Sequence, residues 1–115
     1  MAIERELLKG NIDIIILALL NNEDLYGYEL AKRVKKETSD RFELKEGTLY
    51  LAFKRLERGR FVESYWGDES EGGRRKYYRL LKKGKKYLID AQREWEQLKN
   101  IMDTFLRKVE EHEQE

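Results

Sequence analysis

The side chains best placed to do chemistry in this chain are cations. Eight basic residues and no acidic one stand between Arg74 and Lys86: Arg74, Arg75, Lys76, Arg79, Lys82, Lys83, Lys85 and Lys86. A second set, Lys54, Arg55 and Arg58, follows Thr48 and Tyr50 in the stretch 45–58. There Leu49, Phe53 and Leu56 recur at i, i+4 and i+7, the spacing of one buried helix face. On the same wheel Gly47, Thr48, Leu51, Lys54, Arg55 and Arg58 point the other way, with Tyr50 at the edge. Small residues at the N-terminal end of such a face let it approach base edges. Cations towards its C-terminal end meet phosphates. The plainer alternative is a core helix with a solvated basic face.

Other chemistries have little to work with. The chain has no cysteine, which excludes disulfides, thiolate metal sites and cysteine nucleophiles. Its one histidine, His112, falls in a polar tail, so no metal, cofactor or histidine-based triad is expected. The carboxylates are interleaved with Lys and Arg on helix surfaces without a nucleophile–base set, so no enzyme is expected. Net charge is only +1, but its distribution is uneven. Residues 25–60 hold ten basic and six acidic side chains, and residues 61–93 hold nine and five. The flanks are acidic, with two basic against five acidic in 1–24 and three against seven in 94–115. Local field governs phosphate binding more than net charge does. A length of 115 residues fits one domain. Glu4 and Glu6 speak against a signal peptide, and the apolar run 14–20 is too short to span a bilayer, so a cytoplasmic location is the default.

The elements that would position these cations follow in order. Residues 3–20 read as a helix that is apolar nearly all round and needs cover on two sides. Asp24 reads as the N-cap of a second helix over 25–37. A short connector then leads to the helix over 45–59, a helix-turn-helix reading. Residues 61–66 alternate as a strand and 74–80 read as the return strand of a hairpin with a glycine-rich tip, placed as a wing over 61–81. Trp66, Tyr77 and Tyr78 are expected to pack the hairpin on the helices. Residues 83–111 read as one long helix. Leu88, Ala91, Trp95, Leu98, Met102, Phe105 and Val109 fall at gaps of 3 and 4, a heptad seam that asks for a partner helix. Leu88, Trp95, Leu98, Met102 and Phe105 are therefore the expected dimer contacts.

Three stretches, Tyr26-Gly27-Tyr28-Glu29-Leu30, residues 47–57 and residues 72–80 with Gly84, resemble the PadR family of bacterial transcriptional repressors. The likeness covers nearly the whole chain and is similar to the short type with one C-terminal helix, which includes a multidrug-sensing repressor. The resemblance implies a mainly α fold with a small β-hairpin: a winged helix-turn-helix over 1–82, a dimerisation helix over 83–111 and a frayed tail over 112–115. It implies a homodimer on double-stranded DNA at a pseudo-palindromic operator. Thr48, Tyr50 and Lys54 would face DNA with Arg55 beside them, and Arg74, Arg75 and Lys76 would lie on phosphates or in the minor groove. It also implies a planar aromatic effector at the dimer centre, held by Trp95 with Leu7, Ile14 and Ala91 as walls. Trp95 as seam packing remains the other reading. Lys99 replaces an acidic pocket residue of the multidrug-sensing relative, which argues against cationic ligands. Leu51 and Leu81 replace a proline and a threonine common in the family. A winged-helix module that binds protein instead of DNA is the alternative function.

Overall fold

The computed structural model describes residues 10–68 and 73–113, with side chains to residue 111. Among these residues the order is α1 (Ile12–Leu20), β1 (Leu25–Tyr26), α2 (Gly27–Glu37), α3 (Glu46–Arg58), β2 (Val62–Trp66), β3 (Lys76–Leu80) and α4 (Lys82–Glu113). The helix expected over 3–20 does not run on through Gly10. That residue sits at φ +86°, the left-handed region that glycine tolerates and a right-handed helix excludes. α1 begins two residues later. Ile16, Leu17, Leu19 and Leu20 are buried in it, and Ile12 and Ile15 pack against the same core from its flank. Leu7 lies outside the described residues.

The second helix also starts later than the pattern suggested. Leu25 and Tyr26 pair antiparallel with Tyr78 and Tyr77 of β3, so α2 opens at Gly27. Asp24 is not its N-cap, because it accepts a 2.5 Å hydrogen bond from the Tyr65 hydroxyl of the hairpin. The hairpin thereby becomes a three-stranded sheet in the order β1-β3-β2, with β3 central.

Thr38 closes α2 through its hydroxyl, which donates to the Val34 carbonyl at 2.8 Å and accepts the Phe42 N–H at 3.2 Å. Ser39 and Asp40 turn the chain at φ 51° and 64°. Leu44, buried, pins the connector to the core. α3 then buries Leu49, Ala52, Phe53 and Leu56. It ends in a Schellman turn, with the Phe61 N–H on the Leu56 carbonyl and the Arg60 N–H on the Glu57 carbonyl. The left-handed residue of that turn is Arg60, at φ 63°.

Sheet and helix meet at one aromatic pair. The Tyr78 ring of β3 stacks on Phe53 of α3, with centroids 3.7 Å apart and planes within 3°. Tyr78 is buried on the helix as expected of it, whereas Tyr77 is half-buried between Tyr26 and Tyr65 of the sheet and Trp66 is exposed. α4 leaves the sheet at Gly84, where the helix crosses the Phe61 backbone. A Cβ there would stand 2.2 Å from the Phe61 carbonyl oxygen. Its 32 residues reach roughly 48 Å at 1.5 Å per residue. Leu88 and Ala91 are half-buried, and every side chain from 92 to 111 is exposed.

Candidate nucleic-acid interface

α3 presents its outer face to solvent. Thr48, Tyr50, Leu51, Lys54 and Arg58 are all exposed on it, and Leu51 and Tyr50 are the most open apolar side chains of the helix. Burial of Leu49, Ala52, Phe53 and Leu56 on the opposite side fixes this orientation. The Lys54 ammonium sits 5.1 Å from the centre of the Tyr50 ring. That contact is a cation–π pair at a solvated site and leaves the ammonium's other donors open.

Arg55 is placed differently. Its guanidinium donates to Asp13 of α1 through Nη2 at 2.5 Å and Nε at 3.3 Å. The hydrogen bond to Asp13 holds the guanidinium pKa above its ordinary value, with the carboxylate charge adding to it against some desolvation. A wheel of α3 alone puts Arg55 among the free cations. The fold ties it to the first helix.

The wing carries its cations over aromatic rings. The Arg74 guanidinium is 5.6 Å from the Trp66 ring centre, that of Arg75 is 4.8 Å from Tyr26, and the Lys76 ammonium is 5.9 Å from Tyr78. Among the described residues none of these three, nor Lys54, has an acidic partner. Arg79 does: it pairs with Glu63 across the strands, and that hydrogen bond raises its pKa. The Gly67 N–H donates to the Arg75 carbonyl at 2.8 Å and closes the hairpin below its tip. Tyr50 of α3 and Arg75 and Lys76 of the wing line one cleft, so helix and hairpin share a single surface.

That surface stands on a fold with known relatives. The transcriptional regulator PadR-like family matches residues 16–90. The chain belongs to this family. A transcriptional regulator from Clostridium thermocellum has a similar structure, with 41% identity and a TM-score of 0.79 over 87% of this chain and 97% of that one. A PadR family transcription regulator from Clostridium difficile is 48% identical, with a TM-score of 0.75 over 83% of this chain and 97% of that one. An uncharacterized protein of Lysinibacillus sphaericus is 42% identical over 108 residues, 94% of this chain and 99% of its own length. This PadR-like chain is thus a winged helix-turn-helix transcriptional regulator with a long C-terminal helix. DNA is its target, and such regulators are generally not enzymes. Among the described residues no helix is long and apolar enough to cross a membrane.

The C-terminal helix brings the expected seam residues from Trp95 onward to one open stripe, while Leu88 and Ala91 are half-buried. Leu88 packs against the core of its own domain. Trp95, Leu98, Met102, Phe105 and Val109 are exposed, Trp95 by 58% and Phe105 by 68%. Ile101 and Leu106, which the heptad reading left out, widen the stripe. Their spacing of three and four residues from Leu98 and Met102 was the signal for them. Of the expected effector walls, Ile14 and Ala91 are half-buried on α1 and α4, two helices that pack together.

Proposed function

We propose that this regulator is a cytoplasmic dimeric repressor that binds a pseudo-palindromic operator. α3 enters the major groove, and the β2–β3 hairpin acts as the wing. The DNA-binding unit spans 1–82, and α4 is the dimerisation helix with the tail beyond it. Thr48, Tyr50 and Lys54 face the bases and their flanking phosphates, and Arg74, Arg75 and Lys76 meet the backbone or the minor groove. Because Arg55 is held by Asp13, it fixes the seat of α3 on α1, and phosphate contact at this end of the helix falls to Lys54 and Arg58. The observation that carries the reading is the shared surface of helix and wing, with four cations free of acidic partners among the described residues. Selection of bound sites from a random DNA pool tests it. The expected product is a symmetric site whose halves lie about one helical turn apart, roughly 34 Å, or a multiple of it. A pool that fails to enrich counts against the reading.

The apolar stripe of α4 supplies the dimer contacts Trp95, Leu98, Met102 and Phe105. Paired across a twofold axis, two Trp95 rings would hold a planar aromatic effector between them, with Leu7, Ile14 and Ala91 as walls. Such a ligand acts through its different affinity for the DNA-competent and DNA-incompetent dimers. Tryptophan fluorescence with planar aromatic compounds tests this in the parent and in Trp95→Phe, where Trp66 remains as a control. Saturable quenching lost in Trp95→Phe, with operator release by the same compound, is the expected result. Quenching that survives the substitution removes Trp95 from the site.

A further inference from the structure

A cleft of about 440 Å³ lies between the N-terminal half of α3 and the start of β3, just below the tip of the wing. Leu49 and Tyr50 form one wall, Arg75 and Lys76 the other, and Tyr26 and Tyr28 close the end where α2 begins. We propose that this cleft is the track of one sugar–phosphate strand of the operator, and that Tyr28, seated on Tyr26, binds that strand from outside the helix–wing pair. The inference rests on the DNA-binding reading above and extends it to residues which that reading does not use.

Groove geometry supplies the first part of the argument. One sugar–phosphate strand separates a major groove from the minor groove beside it. A protein with a helix in one and a hairpin in the other must let that strand pass across the gap between them. In this fold the gap is the cleft.

The chemistry of the cleft suits such a strand, which is anionic along its phosphates and apolar on its sugar faces. Arg75 and Lys76 line one wall. The Arg75 guanidinium sits over Tyr26 at 4.8 Å from the ring centre, and Tyr26 stacks on Tyr28 with centroids 6.4 Å apart and planes 18° apart. A cation–π contact holds a guanidinium without occupying its N–H donors with an acid, and they remain for phosphate oxygens. Tyr28, at the end of this column, is 70% exposed. It offers a ring face to a sugar and a hydroxyl to a phosphate oxygen. Glu46 is the one acid on the lining, against two cations. That charge balance favours an anionic chain over a neutral planar compound as the occupant.

Ethylation interference and operator affinity, measured across salt for the parent, Tyr28→Ala and Arg75→Ala, test the proposal. In the parent, modifying the phosphates of the strand between the two grooves should block binding. Tyr28→Ala should weaken binding roughly fivefold, the worth of about one net hydrogen bond. It should also erase the interference at one phosphate of that strand in each half-site. Its salt dependence should match the parent's, because a neutral side chain releases no counterion. Arg75→Ala should lower the slope of log affinity against log salt by about 1. Parental affinity and an unchanged interference pattern in Tyr28→Ala would overturn the proposal and leave the cleft to a small ligand. A parent protein that binds no DNA would overturn the DNA-binding reading itself, and this inference with it.

Discussion

Replacing Phe105 by alanine should weaken self-association by a factor that follows from its exposure. The ring is 68% exposed in the single chain. Full burial of a phenylalanine side chain contributes roughly 1.5–3 kcal/mol, so about 1–2 kcal/mol of that is unrealised until a partner covers it. A twofold interface gains the term twice, about 2–4 kcal/mol in all. At 1.4 kcal/mol per decade, Phe105→Ala should raise the dimer dissociation constant roughly 30- to 700-fold. Phe105→Glu should go further, because it would bury an unpaired charge. Sedimentation equilibrium over a range of concentrations reads this directly. The parent should sediment at twice the chain mass at micromolar concentration, and Phe105→Glu at the chain mass. The ring lies beyond the last half-buried residue of α4, so thermal unfolding of the winged-helix core should be little changed. A parent that is monomeric, or a Phe105→Glu variant that dimerises like the parent, refutes the reasoning.

The remaining predictions concern DNA, packing and pH. Tyr50→Ala and Lys54→Ala should weaken operator binding and cost about 1–3 kcal/mol of discrimination where they contact bases. Arg74→Ala should weaken specific and non-specific sites alike, with a salt slope lower by about 1, as titrations at several salt concentrations would show. Gly84→Ala should lower the melting temperature through overpacking worth about 1–3 kcal/mol, since its Cβ would stand 2.2 Å from a backbone oxygen that cannot move aside. Stability should fall as pH rises past about 10, the ordinary tyrosine pKa. Burial raises the Tyr78 pKa, and the hydrogen bond to Asp24 raises that of Tyr65. The fold therefore favours both neutral phenols, and the stability they lend is present below that pH and lost above it. Tyr65→Phe should flatten part of the alkaline decline in a series of thermal melts.

Much of this architecture was legible in the sequence because its elements declare themselves locally. Leu49, Phe53 and Leu56 fix the buried face of α3, and the outward set follows from them. The alternation of 61–66 marks β2, and β3 follows as its return strand across a glycine-rich loop. What escaped depends on distant partners. Leu25 and Tyr26 form a strand only because β3 offers them an edge, and two residues are too few to show a period. Asp24 looked like a helix cap because a capping residue is defined by its own chain neighbours, yet Tyr65 takes its carboxylate. Arg55 looked free because a helical wheel sees one helix at a time, and its partner Asp13 lies 42 residues away. Gly10 carried the weakest signal: a glycine within an apolar pattern is tolerated in many helices, and only its positive φ shows the break. The seam of α4 was readable as apolar spacing, but its start was not. Leu88 obeys the same spacing as Trp95 and packs on its own core.

The chain has no cysteine, so Thr48→Cys gives one attachment point at the exposed N-terminal turn of α3. A DNA-cleaving reagent tethered there, with the protein bound to the selected operator, would report which groove this turn enters. The account predicts two clusters of major-groove cuts, one in each half-site, with centres about one helical turn or a multiple of it apart. Cuts in the minor groove, or cuts scattered along a fully bound duplex, would contradict it.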